Sequence, residues 1–224
     1  MNIFVTGTDT DVGKTVITAG LAAAMRNYNK TVGVFKPVQT GASCISSDCE
    51  FVKSVDAEII TKVSYNFKEP VAPSLAAELD KEEIDLEKIK KDYEALKNQC
   101  DFVIVEGAGG LLVPIKNNFL MRDLAKMLNL PLVIVARPDL GTINHTLLTV
   151  EAAKDLDILG IIISGYPEGT EDLAIKNAPS IIEKLSGEKI LGILPRIENL
   201  DKNPSVLKEI FPQKVELKYF HDTF

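Results

Sequence analysis

Six short apolar runs constrain this chain most: Ile3-Val5, Val32-Phe35, Phe102-Val105, Leu132-Ala136, Leu159-Ile163 and Ile190-Leu194. They are rich in β-branched residues and do not alternate with polar ones, the pattern of strands buried on both faces. Longer segments with helical spacing lie between them. Ile17, Leu21, Met25 and Tyr28 share one predicted helical face, and Leu86, Ile89, Tyr93 and Leu96 share another. Strand and helix signals that alternate in this way predict an α/β domain, with a mainly parallel sheet flanked by helices on both faces. The 224 residues suit a single domain, 1–224, with a well-buried core.

Three segments are less regular. The charged run Glu82-Lys97, with Glu87 and Lys91 four residues apart, reads as a solvated helix face. Pro179 is expected to interrupt any helix after Tyr166. Beyond Asn199, the residues Val206, Leu207, Ile210 and Phe211 predict a short docking helix.

The first run leads straight into Gly7-Thr-Asp-Thr-Asp-Val-Gly-Lys-Thr15. A phosphate-binding loop wants Gly, four residues, then Gly-Lys-Ser/Thr, and here the first glycine stands one residue too early. The strand–loop–helix context nevertheless fits. The N–H groups of Gly13, Lys14 and Thr15 would face an anion at the positive end of a helix dipole. Lys14 would neutralise outer phosphates, and the Thr15 hydroxyl would join a Mg²⁺ shell.

Two further strand ends carry chemistry. Phe102-Val-Ile-Val-Glu106-Gly-Ala-Gly-Gly110 sets a carboxylate at the carboxyl end of a buried run, where parallel sheets build their sites. That acid suits Mg²⁺, and the glycines behind it admit close backbone approach. Lys36-Pro-Val-Gln-Thr40-Gly41 follows another run, so Lys36 can aim an ammonium into the same crevice. Asp48, in the polar Ser46-Ser47-Asp48 loop, is a further candidate metal ligand, although a loop acid is more often a cap.

Taken together, the opening loop, Lys36-Pro37-Val38, Val105-Glu-Gly-Ala-Gly-Gly110 and Leu140-Gly-Thr-Ile-Asn-His145 resemble the dethiobiotin synthetase family. The resemblance covers about the first two-thirds of the chain, and the displaced glycine belongs to it. It implies a P-loop NTPase-like fold and an ATP-dependent ligase of biotin synthesis. The implied substrates are 7,8-diaminopelargonic acid, CO₂ and Mg-ATP, and the product forms through a carbamate and a carbamic–phosphoric anhydride.

The resemblance also distributes roles. Lys14 and Lys36 would be catalytic, and Thr15, Asp48 and Glu106 would hold Mg²⁺. Asp11, Val12, Gly13, Lys14, Thr15, Val16, Glu106, Gly109, Ser164 and Pro195 fall at positions that bind ATP. Thr10, Asp11 and Thr40 match positions lining the diamine and carbamate pocket, with Asp11 where many relatives have Glu. Gly141, Thr142 and Asn144 match the segment that receives the substrate's carboxylate across a homodimer interface. Thr142 is also a natural helix cap, and His145 reads as a packing or interface residue. Many relatives carry Asn where this chain has Ser164. A hydroxyl cannot reproduce the two-point amide pattern on adenine, so looser base selectivity is expected, with other nucleoside triphosphates accepted.

Composition excludes other classes. A net charge of −7 without a basic cluster argues against nucleic-acid binding. No apolar run reaches membrane-span length and no secretory leader is expected, so the expected location is the cytoplasm. Cys44, Cys49 and Cys100 lack zinc-ligand spacing and read as reduced thiols. A cobyrinate-type amide synthetase would need a glutaminase domain for which the chain has no room. A ParA- or MinD-like switch remains the alternative, disfavoured because its loop usually carries an extra early Lys.

Overall fold

The computed structural model describes residues 1–41 and 47–220. Ser46 of the candidate ligand loop and Cys44 therefore lie outside the described residues. Nine strands and eight α-helices are described. The strands are β1 Ile3–Gly7, β2 Val32–Gln39, β3 Ile60–Asn66, β4 Phe102–Gly110, β5 Pro114–Lys116, β6 Phe119–Leu120, β7 Leu132–Ala136, β8 Ile158–Tyr166 and β9 Ile190–Pro195. The helices are α1 Lys14–Arg26, α2 Asp48–Val55, α3 Pro73–Asp80, α4 Leu86–Lys97, α5 Met121–Met127, α6 Thr142–Ala152, α7 Leu173–Ser186 and α8 Leu207–Lys214.

Seven strands form one sheet in the order β3-β2-β4-β1-β7-β8-β9. Each neighbouring pair in that sheet is parallel. The chain leaves β1 toward one edge, returns through β4, and then crosses β1 to build the other half. Ligands of open α/β sheets sit at such a reversal, beyond the carboxyl ends of the strands. The loops after β1 and β4 open there. Strands β5 and β6 make a separate antiparallel hairpin.

Successive strand residues point to opposite faces, which explains the continuous apolar runs. Ile3, Val5, Ile104, Val133, Val135 and Ile162 pack on one face with α1 residues Ile17, Leu21 and Met25. Phe4, Val103 and Val105 pack on the other with Ile89, Tyr93 and Leu96 of α4. Ile134, Ile161 and Ile163 meet Ala178 and Ile182 of α7. Both faces are covered, as the runs predict.

Two local expectations change and a third holds. Tyr28 lies beyond the end of α1 and is 46% exposed, because the chain turns at Asn29, which has a left-handed φ of 57°. Pro179 does not end α7: it sits inside the helix, whose Ala178 and Ile182 are anchored in the core. The tail helix forms, and its Phe211 ring fills the space where Gly20 has no side chain; a Cβ there would stand 2.2 Å from the ring. That contact docks α8 on α1.

Candidate active site

The opening loop turns tightly over the end of β1. Gly7 occupies its odd position for a steric reason: a Cβ there would lie 2.7 Å from the Asp9 carbonyl oxygen and 2.8 Å from Val12 Cγ2. The early glycine thus answers to the loop's own backbone. Gly13 caps α1 in the left-handed region at φ 92°, and a Cβ there would collide with the Ser164 Oγ at 2.3 Å. Asp11 also carries a positive φ, 55°. The Lys14 ammonium donates to the Asp9 carbonyl oxygen at 2.9 Å.

Beside the loop, four side chains from four elements converge. Lys36 lies within β2, not after it, and is 3% exposed. Pairing of β2 with β4 is recorded through Phe35, so Pro37, which has no N–H, follows where that ladder has ended. The Lys36 ammonium is 3.0 Å from Glu106 Oε1, donates to the Gly107 carbonyl oxygen at 3.1 Å, and forms a close ion pair with Asp48. The Thr15 hydroxyl reaches Asp48 Oδ1 at 3.0 Å and Glu106 Oε1 at 2.9 Å. Asp48 opens α2 with Ser47 as N-cap in a capping box with Glu50, so its carboxylate benefits from the helix dipole.

Electrostatics separate the two lysines. Burial and the neighbouring Lys36 push the Lys14 ammonium below its ordinary value, against the pull of Glu106 and Asp48. Burial also disfavours a charged Lys36, but Glu106 and Asp48 outweigh it and hold Lys36 above the usual lysine value. Asp48 is held low despite its burial, chiefly by Lys36. Glu106 is 1% exposed and pushed up by that burial, with Lys36 opposing. Its Oε2 is buried and has no hydrogen-bond partner among the described residues, which suits an acceptor for a further ligand.

Two cavities flank the loop. The first, about 330 Å³, is lined by Asp11, Val12, Gly13, Val16, Ser164 and Pro195, together with Arg137, Arg196 and other residues of the strand ends. The second, about 420 Å³, is lined by Thr8, Asp9, Leu111, Leu112, His145, Leu148 and their neighbours. Six expected ATP-site residues therefore share the first wall. Asp11 is among them, while Thr8 and Asp9, which the sequence reading did not single out, face the second cavity. The cluster of Lys14, Thr15, Lys36, Asp48 and Glu106 lies off both walls.

The remaining expected residues are more dispersed. Thr10 is exposed, and its methyl carbon lies 3.7 Å from where a Gly109 Cβ would stand; Gly109 itself has φ 65°. Thr40 is half-buried, and its carbonyl oxygen accepts from the Gln39 side chain. Gly141, at φ 96°, caps α6, so Thr142 is the first helical residue rather than the cap, with its hydroxyl buried and unpartnered. Asn144 is exposed, and His145 Nδ1 lies 3.2 Å from Arg137 Nη2. Arg137 and Arg196 were missed, although Arg137 directly follows an apolar run, the signal already applied to Glu106 and Lys36, and Arg196 stands one residue beyond another. Among the described residues, no helix is long and apolar enough to cross a membrane, and Cys49 and Cys100 are free thiols.

Comparison with known proteins gives the family and the fold. A family profile described as an AAA domain matches residues 1–204. The ATP-dependent dethiobiotin synthetase BioD of Bacillus velezensis is 43% identical, over 89% of this chain and 88% of that protein. The enzyme of the same name from Methanocaldococcus jannaschii is 41% identical, over 89% of this chain and 96% of that protein. Among solved structures, a ParA family ATPase from Chlorobium tepidum superposes with TM-score 0.62 at 16% identity, covering 98% of each chain. MinD from Aquifex aeolicus gives 0.58 at 14%, over 92% of this chain and 86% of that one. At that identity these two show the P-loop NTPase fold alone, whereas the sequence relatives decide the family: the chain belongs to the dethiobiotin synthetase family of ligases.

Proposed function

We propose that residues 1–224 act as one unit that carboxylates 7,8-diaminopelargonic acid with CO₂ and closes the ureido ring of dethiobiotin, driven by ATP. One observation carries this reading beyond family membership: a single loop walls two cavities, with Asp11–Gly13 on one and Thr8–Asp9 on the other. The nucleotide takes the first cavity and the diamine the second, whose leucines suit an alkyl chain.

The chemistry follows from charge. One amine takes up CO₂ and loses a proton to give a carbamate. A carbamate oxygen attacks the γ-phosphorus, ADP leaves, and a carbamic–phosphoric anhydride remains. The second amine attacks the anhydride carbonyl carbon, expels phosphate and loses its proton. Carbamate and γ-phosphate repel each other, so their approach needs fixed positive charge in a dry site. The buried ammonium groups of Lys14 and Lys36 supply it. Thr10 and Thr40 flank the carbamate, and Gly109 lets the backbone approach the phosphates.

Mg²⁺ fits the remaining donors, which are hard oxygens: Thr15 Oγ1, the Asp48 carboxylate and Glu106, whose Oε2 is buried without a partner. Bound there, the ion neutralises charge on the β- and γ-phosphates.

Leu112 and Leu148, on the second cavity's wall, are 58% and 61% exposed, and Leu140 is 84% exposed. Gly141, Thr142 and Asn144 line neither cavity. Both facts support a homodimer in which this segment's N–H groups receive the carboxylate of a substrate held by the other copy. Base selectivity rests on Ser164 in a wall that has no Asn or Gln side chain, so CTP and GTP are expected to support turnover. ATP rates several orders of magnitude above theirs would refute that point. The whole reading is tested by mass spectrometry after incubation with diamine, bicarbonate and Mg-ATP. Dethiobiotin is expected, and its absence from folded protein would end the reading.

A further inference from the structure

The Lys36 ammonium sits between the two carboxylates that the proposed function assigns to Mg²⁺. It contacts Asp48, lies 3.0 Å from Glu106 Oε1 and donates to the Gly107 carbonyl oxygen. We propose that Lys36 is the resident cation of this site: it holds the metal's place, bars free divalent ions, and yields only to an ion that arrives with nucleotide phosphates.

Charge supports the inference. By formal charge, Lys14 and Lys36 bring two positive charges to the cluster, and half-buried Asp48 and buried Glu106 bring two negative ones. A free divalent ion would raise a balanced cluster by two charges at contact distance, where repulsion in a poorly hydrated site is strong. The same ion on a nucleotide arrives with more negative charge than it carries. The donor count agrees. Among the described residues no group of three or more His, Cys, Asp or Glu side chains could hold a metal unaided. Two carboxylates and the Thr15 hydroxyl leave a six-coordinate ion dependent on waters and phosphate oxygens.

Occupancy of the donors completes the picture. Lys36 and Thr15 already engage three of the four carboxylate oxygens, leaving Glu106 Oε2 as the one still unpartnered. A metal must therefore displace the ammonium. The flexible four-carbon stem of Lys36 lets it move toward incoming phosphate, where the proposed reaction needs its charge. The exchange links cation entry to nucleotide entry.

The inference rests on the metal role assigned to Thr15, Asp48 and Glu106, and its test reads binding, not turnover. Free Mn²⁺ is titrated by electron paramagnetic resonance against nucleotide-free wild type, Lys36→Met and the double variant Lys36→Met with Glu106→Gln. Lys36→Met is expected to bind Mn²⁺ at least about tenfold more tightly than wild type, since removing one contacting charge exceeds 1.4 kcal/mol. The double variant should lose that gain. Equal affinity in wild type and Lys36→Met, or a gain that survives Glu106→Gln, overturns the proposal. Because Lys36→Met strands buried Glu106 and half-buried Asp48 and can unfold, wild type is also melted with Mg²⁺ alone and with Mg²⁺ plus ADP. A rise in the midpoint only with both is expected, beyond that given by ADP alone; an equal rise with Mg²⁺ alone overturns the idea. Failure to make dethiobiotin would instead count against the proposed reaction and leave these binding results standing.

Discussion

Around Lys36, each ionic group is fixed by a strand interior or a helix start, and its charge is answered at contact distance by another chain segment. Around α6 the construction is reversed. Leu140 and Leu148 stand in solvent, Asn144 is exposed, and Leu148 lies on the wall of the second cavity. The first region is built from the segments of one chain, whose charges meet at contact distance. The second carries exposed apolar surface, which the proposed homodimer would cover. The proposed reaction, which brings the γ-phosphate of ATP to a diamine with an alkyl chain, would use both kinds of surface.

The comparison can be broken at four places. The largest effect is expected at Lys36. Lys36→Ala should lower single-turnover rate by about 10²–10³, the scale of one lost charge-stabilising group. Near-normal turnover would remove the cluster from the chemistry. Gly7→Ala comes next. It forces a methyl against the Asp9 carbonyl and should weaken nucleotide binding by about tenfold or more, since overpacking costs about 1–3 kcal/mol. Calorimetry with a nonhydrolysable ATP analogue reads it, and unchanged affinity would sever Gly7 from the loop's shape.

The open region should respond differently. Leu148→Glu, on the second cavity's wall, is expected to raise the diamine KM by about tenfold, from a lost leucine contact of about 1.5 kcal/mol or more. The nucleotide Kd should stay put, and an equal change in both would merge the two regions into one. The smallest effect lies away from both. Asp56 joins Arg26 of α1 at 3.1 Å and Lys208 of α8 at 3.2 Å. Burial works against its ionised form, yet the Glu58 N–H, Lys208 and Arg26 hold its carboxyl below the usual value. Its folded value is depressed, so its stabilisation is full above the ordinary carboxylate range and is lost as pH falls through the depressed value. Asp56→Asn should cost up to about 1 kcal/mol in denaturant melts at neutral pH and nothing once the wild-type acid is protonated. A pH-independent difference would contradict the ion-pair origin.

What the sequence could reveal follows the same division. Strands buried on both faces are legible because their neighbours demand unbroken apolar side chains, and the six runs all became strands. Strand β3 escaped notice because it lies at the sheet's edge, half-exposed, and reads Ile-Thr-Lys-Val-Ser-Tyr-Asn. The hairpin of β5 and β6 is too short for any period to register. Pro179 argues locally against α7, and the burial of Ala178 and Ile182 overrides it. At the site, Lys14, Thr15, Lys36 and Glu106 stand out in the sequence because motifs adjoin the ends of apolar runs, although β2 and β4 continue past Lys36 and Glu106. The division of the loop between two cavities could not, because it depends on the positive φ at Asp11 and on how Gly7 folds the backbone over itself.

The central claim is that carbamate and γ-phosphate react at the junction this loop creates. Turnover with ¹⁸O-labelled CO₂, measured before the label exchanges with water, tests it most directly. If a carbamate oxygen attacks phosphorus, ring closure must leave that oxygen in the released phosphate. One ¹⁸O per phosphate, matched to the dethiobiotin formed, is the predicted result. Unlabelled phosphate formed alongside dethiobiotin would contradict the account.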